Sequence, residues 1–180
     1  MIKYFSLLSL LLYLSGEMYA QRTEVYAPHI QTVQVIANDN YLAPPIITLG
    51  RGENIEISFD ELSHEYHRYQ YVISHCNIDW TPSDLSELDY LDGFNNNPID
   101  DYETSINTTM PYTHYKFRLP NNQVRMTLSG NYTVTVYDDS DSDTPIFKTC
   151  FRVLEQHVGI SAVVSSDTEI DRNKSHQQVS

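Results

Sequence analysis

The sequence is short of basic residues: its 180 residues include 11 Lys and Arg against 24 Asp and Glu, a formal charge of −13 at pH 7. Nucleic acids and anionic lipid surfaces carry the same sign of charge and repel such a chain. This composition excludes DNA and RNA binding and disfavours an anionic membrane surface as a partner.

Motifs that place a nucleophile or a phosphate group are also missing. No serine stands in a GxSxG elbow, and no glycine-rich loop lies between a predicted strand and a helix. Carboxylates are plentiful enough to supply a glycosidase pair such as Asp79 and Asp92, but nothing selects these two over other loop acids. We expect no catalytic activity and no cofactor; a metal-dependent hydrolase is the enzymatic alternative.

The histidines do not form a metal-binding pattern. His64 and His67 stand in an HExH run, which lacks the HExxH spacing that places two ligands on one helix face. His75 and Cys76 are adjacent in a predicted strand, so they point to opposite faces of it. We therefore predict no metal site.

Cysteine is scarce, with only Cys76 and Cys150 present. In the last predicted strand Phe147 and Phe151 form the core face, so Cys150 lies on the opposite face. In a sandwich, another strand would also separate Cys150 from Cys76. Export favours disulfides, but this geometry predicts two reduced thiols.

The long hydrophobic run of the sequence lies at its N-terminus. Residues 4–14 are apolar, follow Lys3, and lead into a polar stretch that ends at Ala20. This arrangement is typical of a cleavable secretion signal, here residues 1–20, and the run is too short to span a bilayer comfortably. We expect the mature chain to be exported.

The rest of the chain is a succession of short segments in which apolar and polar residues alternate, as in β-strands. With 41% hydrophobic residues, the chain can bury one sizeable core. We predict one domain at residues 21–155, then a linker and the first strand of an incomplete second domain at residues 156–180. The predicted strands are 30–37, 46–49, 55–59, 69–76, 102–107, 114–119, 128–136 and 146–154.

About eight short strands at this spacing predict an all-β fold, an immunoglobulin-like antiparallel β-sandwich. The Leu-x-Gly-x-Tyr run that ends at Tyr132 resembles the tyrosine corner of immunoglobulin-like domains. Trp80 follows Cys76 too closely for the antibody spacing. The prediction therefore rests on the number of strands and on the tyrosine motif.

The predicted strand 69–76 has apolar residues on both faces, as a central, covered strand does. The candidate site is the long loop that follows this strand. From Asp79 to Glu103 the sequence has eight carboxylates and no Lys or Arg, interleaved with aromatic residues. Charge orients a protein partner and aromatic side chains anchor it, so this loop is a candidate binding surface. The alternative is that the aromatic side chains turn inward and only the acids face solvent. The predicted partner-binding residues are Asp79, Trp80, Asp89, Tyr90, Leu91, Asp92 and Phe94.

Motifs of this loop and of the chain after it occur in the same order in a known family. They are HCNIDW at 75–80, YLDGF at 90–94, DYE at 101–103, YTHY at 112–115 and LSGNY at 128–132. The chain resembles the N-terminal domain of the type IX secretion system plug proteins of the Bacteroidota. The resemblance implies an exported, non-enzymatic periplasmic β-sandwich that closes the periplasmic side of the outer-membrane translocon barrel when no cargo passes. It also implies a longer protein, because HQQ at 176–178 resembles the opening of the family's second domain.

A carbohydrate-binding β-sandwich is the alternative from a different class. It would stack sugar rings on Trp80 and Tyr90. Retention on a polysaccharide column that is lost in Trp80→Ala would support it, whereas capture of translocon components would support the plug.

Overall fold

The computed structural model describes residues 23–159, 161–166 and 177–179; the predicted signal at residues 1–20 lies outside them. The described residues form fourteen β-strands and a single-turn helix, numbered here in chain order. The strands are β1 (Glu24–Val25), β2 (Ile30–Ala37), β3 (Ile46–Thr48), β4 (Ile55–Glu61), β5 (Tyr69–Cys76), β6 (Leu91–Gly93), β7 (Asn97–Ile99), β8 (Asp101–Thr104), β9 (Thr113–Leu119), β10 (Val124–Met126), β11 (Gly130–Asp138), β12 (Asp141–Leu154), β13 (Val164–Ser165) and β14 (Gln178–Val179); the helix, α1, is Glu87–Tyr90.

Two sheets form the sandwich. Sheet A has the order β1-β12-β11-β5-β7, and sheet B has the order β2-β4-β9-β8. All of these pairings are antiparallel, while β3 joins the end of β12 as a parallel strand. The all-β sandwich prediction is confirmed, and each of the predicted strands overlaps an observed one.

The core lies between the two sheets and is rich in aromatic rings. Phe59 of β4 packs against Phe147 of β12 with ring centroids 5.0 Å apart, and Tyr71 of β5 stacks on Phe117 of β9 at 4.4 Å. Rings of this size bury much apolar area, and their edge and stacked contacts add to it. The alternation of apolar and polar residues along each strand is therefore what brings the two sheets together.

The predicted tyrosine corner is present at the start of β11. The Tyr132 hydroxyl donates to the Leu128 carbonyl at 2.6 Å. The ring of His75 lies against Gly130, where a Cβ atom would come within 2.2 Å of Nε2 of His75. This close approach explains the glycine of the motif.

Three boundaries differ from the sequence prediction. The acidic hairpin is tighter than the gap between the predicted strands 128–136 and 146–154, because the Asp138 carboxylate accepts from the Ser140 amide (2.8 Å) and β12 starts at Asp141. Residues 97–99, which no predicted strand covers, form β7, an edge strand in which the missing N–H of Pro98 is tolerated. In the predicted incomplete second domain at residues 156–180, the described residues form the short strands β13 and β14, which pair with each other.

β5 is less covered than the sequence predicts. β11 pairs with it from Tyr69 to Cys76, but on its other side β7 pairs only with Tyr69–Tyr71. Three residues are too few to cover the strand. The second half of β5 is therefore an edge that another part of the chain must complete.

Candidate functional site

The loop at residues 77–96, which we call the edge loop, completes the part of sheet A that β7 leaves open. The Ile73 amide donates to Oδ1 of Asn95 (2.8 Å), and Nδ2 of Asn95 donates back to the Ile73 carbonyl (2.9 Å). The Ser83 amide donates to the His75 carbonyl at 3.0 Å. A single side-chain amide thus replaces a neighbouring strand at Ile73, and the backbone groups there are satisfied.

The helix α1 gives the edge loop its internal structure. The Ser86 amide donates to Oδ2 of Asp89 (2.9 Å) in a capping box, and the acidic first turn suits the positive end of the helix dipole. The helix ends after one turn because Leu91 is extended and enters β6. Leu91 therefore does not continue the helical spacing of Leu85 and Leu88, and its side chain lies on β6.

Two of the predicted partner-binding residues point into the core. Tyr90 is 5% exposed and Leu91 is 4% exposed. The Tyr90 ring lies 5.6 Å from that of His75 and 6.0 Å from that of Tyr132, and burial raises the pKa of Tyr90. These side chains hold the edge loop on the sandwich, and Tyr90 is not available as a platform for a sugar ring.

Asp79 and Trp80 lie in a tight turn at the start of the edge loop. The Thr81 hydroxyl (2.7 Å) and amide (3.1 Å) donate to the Asp79 carboxylate and lower its pKa. Trp80 has a positive φ of 67°, and its half-buried ring lies 5.5 Å from the Arg152 guanidinium, a cation–π contact. Both residues reach solvent, but each is held by its neighbours.

Asp89 and Asp92 are exposed and have structural partners. Asp89 caps α1, and Asp92 accepts from Nε of Arg125 at 2.7 Å, which ties β6 to β10. Reversing the charge of either residue would disturb the loop itself. Neutral changes elsewhere in the edge loop are therefore the better test of binding.

Phe94 is the most exposed of the predicted apolar and aromatic residues, at 82%. Leu88 at 86% and Ile78 at 93% are also exposed, and the sequence analysis did not select them. No sequence signal separates Leu88 from Leu91, because Leu85, Leu88 and Leu91 follow one another at roughly helical spacing. The most exposed apolar side chains of the edge loop are thus Ile78, Leu88 and Phe94, and Leu85 is 41% exposed.

The charge around the edge loop is negative. Asp84 and Asp100 are exposed and form no ion pair within the residues described. Arg125 contacts Asp92 and Arg152 contacts Trp80, and the edge loop itself has no Lys or Arg. The five acids of the loop outnumber these two cations, so the area is anionic and favours a basic partner.

His64, His67 and His75, for which we predict no metal site, each have a different partner. Nε2 of His64 bonds the Ser105 carbonyl (2.9 Å), and Nδ1 of His67 lies 2.6 Å from the buried carboxylate of Glu61. Nδ1 of His75 bonds the Ser83 hydroxyl at 2.9 Å. In the described ranges, no three His, Cys, Asp or Glu side chains are grouped to hold a metal ion.

Cys76 and Cys150 are both thiols and both buried. They lie on the outer face of sheet A, and β11 separates their strands, as the sequence predicts. Sγ of Cys76 is 3.6 Å from the Thr133 hydroxyl on β11.

Comparison with known proteins identifies a family for this chain and a solved structure with a similar fold. The sequence model of the type 9 secretion system plug protein 1st domain matches residues 30–155. The crystal structure of a hypothetical protein from Parabacteroides merdae has 46% sequence identity and a TM-score of 0.75, over 88% of this chain and 40% of that chain. The present chain therefore spans about two fifths of the length of that protein.

A second solved structure is far less similar. The alkylpurine DNA glycosylase AlkC of Pseudomonas fluorescens, bound to DNA containing an abasic site analog, has 14% identity and a TM-score of 0.35, over 69% of this chain and 29% of that chain. These values carry no argument about this fold or its function. No curated protein matches the chain.

Proposed function

This chain belongs to the family of type 9 secretion system plug proteins, whose first domain it matches over residues 30–155, and from this premise we propose that it closes the translocon when no cargo passes. The domain sits at the periplasmic side of the outer-membrane barrel and occludes its aqueous channel. It acts by shape and surface contacts, without catalysis and without a cofactor. Its displacement opens the channel.

The rigidity of the sandwich supports this role. An occluding body must keep its shape, and the aromatic core between the sheets is closely packed, with Phe59 lying 5.1 Å from Tyr115 and 5.0 Å from Phe147 between ring centroids. A packed two-layer domain resists deformation better than a loop or a single sheet does.

The exposed part of the edge loop supplies the contact, and it is the observation that carries the proposal. Ile78, Leu88 and Phe94 are more than four-fifths exposed on a loop whose backbone is fixed to β5. Apolar side chains held in place in this way bind without a large loss of conformational entropy. The surrounding carboxylates orient the domain toward a basic rim on the translocon.

The same proposal covers location and domain organisation. Residues 1–20 direct export to the periplasm, residues 21–155 form the plug domain, and residues 156–180 lead into a second domain. The described residues contain no helix with the length and hydropathy to cross a membrane.

The test is co-purification of the full-length exported protein with the translocon barrel from its own envelope. We compare wild type with the double variant Leu88→Ser/Phe94→Ser. The control, Tyr41→Ser/Leu42→Ser, removes two residues that are 76% and 96% exposed in the loop between β2 and β3.

We expect wild type and the control to retain the barrel and the edge-loop variant to lose most of it. Apolar anchors at an interface typically account for 2 kcal/mol or more, about 30-fold in affinity. Wild type that fails to retain the barrel removes the proposed function. Equal retention by all three proteins removes the edge loop as the contact and leaves the family role standing.

A further inference from the structure

A second surface, built from segments that precede and follow the edge loop in sequence, has the properties of a protein docking site. It lies where β4 passes to β5 and β8 passes to β9, at one end of sheet B. We call it the end patch. Its exposed apolar residues are Leu62, Tyr66, Tyr102, Ile106 and Met110.

Hydrogen bonds join the two loops that form the end patch. Nε2 of His64 bonds the Ser105 carbonyl (2.9 Å), and the Thr113 hydroxyl donates to the Ser63 carbonyl (3.1 Å). Tyr66 from one loop stacks on Tyr102 from β8, with ring centroids 4.4 Å apart. The residues of the patch are thus neighbours in space and not a scatter of single exposed side chains.

The outer loop, residues 105–112, is held in one shape by its own bonds. The Ser105 amide donates to the Tyr112 carbonyl (2.9 Å), and the Tyr112 amide donates to the Ser105 hydroxyl (3.0 Å). The Thr108 hydroxyl bonds the Met110 carbonyl at 2.9 Å. Ile106 and Met110 nevertheless remain 81% and 62% exposed, so the loop is ordered around apolar side chains that it does not bury.

The border of the patch is acidic. Glu65 is exposed beside the stacked tyrosines, and Asp101 and Glu103 share the single cation Lys116. Arg68 lies in the neighbouring depression together with Asp100 and Asp139, which offset its charge. A second copy of this chain would bring the same acids and a net charge of −13, and an anionic lipid surface would also be repelled.

We propose that the end patch docks a folded protein whose contact surface has an apolar centre bordered by Lys or Arg. This partner covers Ile106 and Met110 and pairs with Glu65 and Glu103. The site is separate from the edge loop, so the domain has two contact surfaces and can touch two proteins, or two parts of one assembly, at once. The inference does not require the translocon to be the partner.

Site-specific photo-crosslinking in the native envelope tests this proposal. The full-length protein carries a photoreactive phenylalanine analogue at position 106 or 110, and at position 42 as the control. We expect crosslinks at 106 and 110 to one protein, mapped to a peptide with apolar residues flanked by Lys or Arg, and a yield at least about tenfold lower at 42.

Charge variants sharpen the same experiment. Glu65→Lys/Glu103→Lys should lower the crosslink yield at 106 several-fold, and moderate salt should lower the wild-type yield, because the border charges are exposed and screened. Asp141→Lys with Asp143→Lys, two exposed acids at the start of β12, is the matched control and should leave the yield unchanged.

Crosslinks to lipid, to a second copy of this chain, or no crosslink above the yield at 42 would overturn the proposal. A mapped peptide without basic residues overturns it as well. A crosslink to a protein other than the translocon supports the end patch as a docking site, while the proposed plug function is decided separately by barrel co-purification.

Discussion

The edge loop and the end patch expose apolar side chains in different ways. In the edge loop, inward and outward residues alternate within a few positions: Leu88 and Phe94 face solvent while Tyr90 and Leu91 between them are buried. In the end patch, the exposed residues come from separate loops that hydrogen bonds such as His64 to Ser105 hold together. The edge loop is one continuous segment attached to a sheet edge, whereas the end patch combines residues from separate segments of the chain.

The difference shows which residues of a surface can be changed without unfolding it. Buried apolar residues of the edge loop contribute to folding and its exposed apolar residues do not, although both look alike in sequence. In the end patch most supporting bonds are polar, and Ile106 and Met110, unlike the stacked Tyr66 and Tyr102, are not part of the support. Four measurements can break or sharpen this comparison.

The largest effect is expected from two leucines of the edge loop. Leu91→Ala removes a side chain that is 4% exposed and should lower the free energy of unfolding by about 2–5 kcal/mol. Leu88→Ala, at 86% exposure, should change it by no more than about 0.5 kcal/mol. Urea unfolding measures both, and similar losses in the two variants would mean that Leu88 is buried in solution.

The attachment of the edge loop is tested at Asn95. Asn95→Ala leaves the Ile73 amide without a partner and leaves the Ile73 carbonyl only the Tyr90 hydroxyl, at 3.4 Å. Each unsatisfied group costs about 1–3 kcal/mol, so we expect a loss of about 2 kcal/mol or more and faster hydrogen exchange at the Ile73 amide. Asn96→Ala, at the exposed next residue, is the control; equal exchange in the two variants would contradict the pairing.

The support of the end patch is tested at Thr113. Thr113→Val keeps the shape of a fully buried side chain but removes its bond to the Ser63 carbonyl. The expected loss is about 1 kcal/mol, with greater mobility of residues 62–66 in NMR relaxation. Thr104→Val, at the facing position on β8, should leave both measurements unchanged. No change at residues 62–66 in Thr113→Val would show that the loops are held by other contacts.

High pH should unfold the structure beneath the edge loop and the end patch together, and the tyrosines should have no effect on stability near neutral pH. Burial raises the pKa of Tyr115, beneath the end patch, from an ordinary value of 10.0 to about 12, and burial also raises that of Tyr132, beneath the edge loop. The folded state keeps these protons when the unfolded state has lost them. The contribution of Tyr115 to stability is therefore constant below pH 10 and is lost from pH 10 to about 12.

Absorbance of tyrosinate and circular dichroism, followed together, check this expectation. The buried tyrosines should ionise in step with the loss of β-structure. Full ionisation of all tyrosines in a chain that is still folded would show that these rings reach solvent.

Sequence reasoning identifies the parts of this fold that depend on repetition. A strand buried on one face repeats with a period of two, and this is why β4 and β9 are predictable. The tyrosine corner is also predictable, because Tyr132 and Leu128 are close in sequence. The three-residue strands β6, β7 and β10 are too short to show a period, and tertiary pairing alone defines them.

The candidate site is only partly readable from sequence for a similar reason. The acids and aromatic residues of the edge loop are visible as a composition. Burial of Tyr90 beside exposed Leu88 depends on where α1 stops, which is set by the extended conformation of Leu91. The role of Asn95 depends on contact with Ile73, 22 positions away. The end patch has no sequence signature, because its residues are isolated among polar neighbours.

The amide of Asn95 has a consequence for growth into larger aggregates. An unpaired strand can recruit another extended chain, which then recruits the next. Asn95 occupies both groups of Ile73 and offers no further backbone ladder in their place. Asn95 therefore prevents another extended polypeptide from pairing with β5 at Ile73.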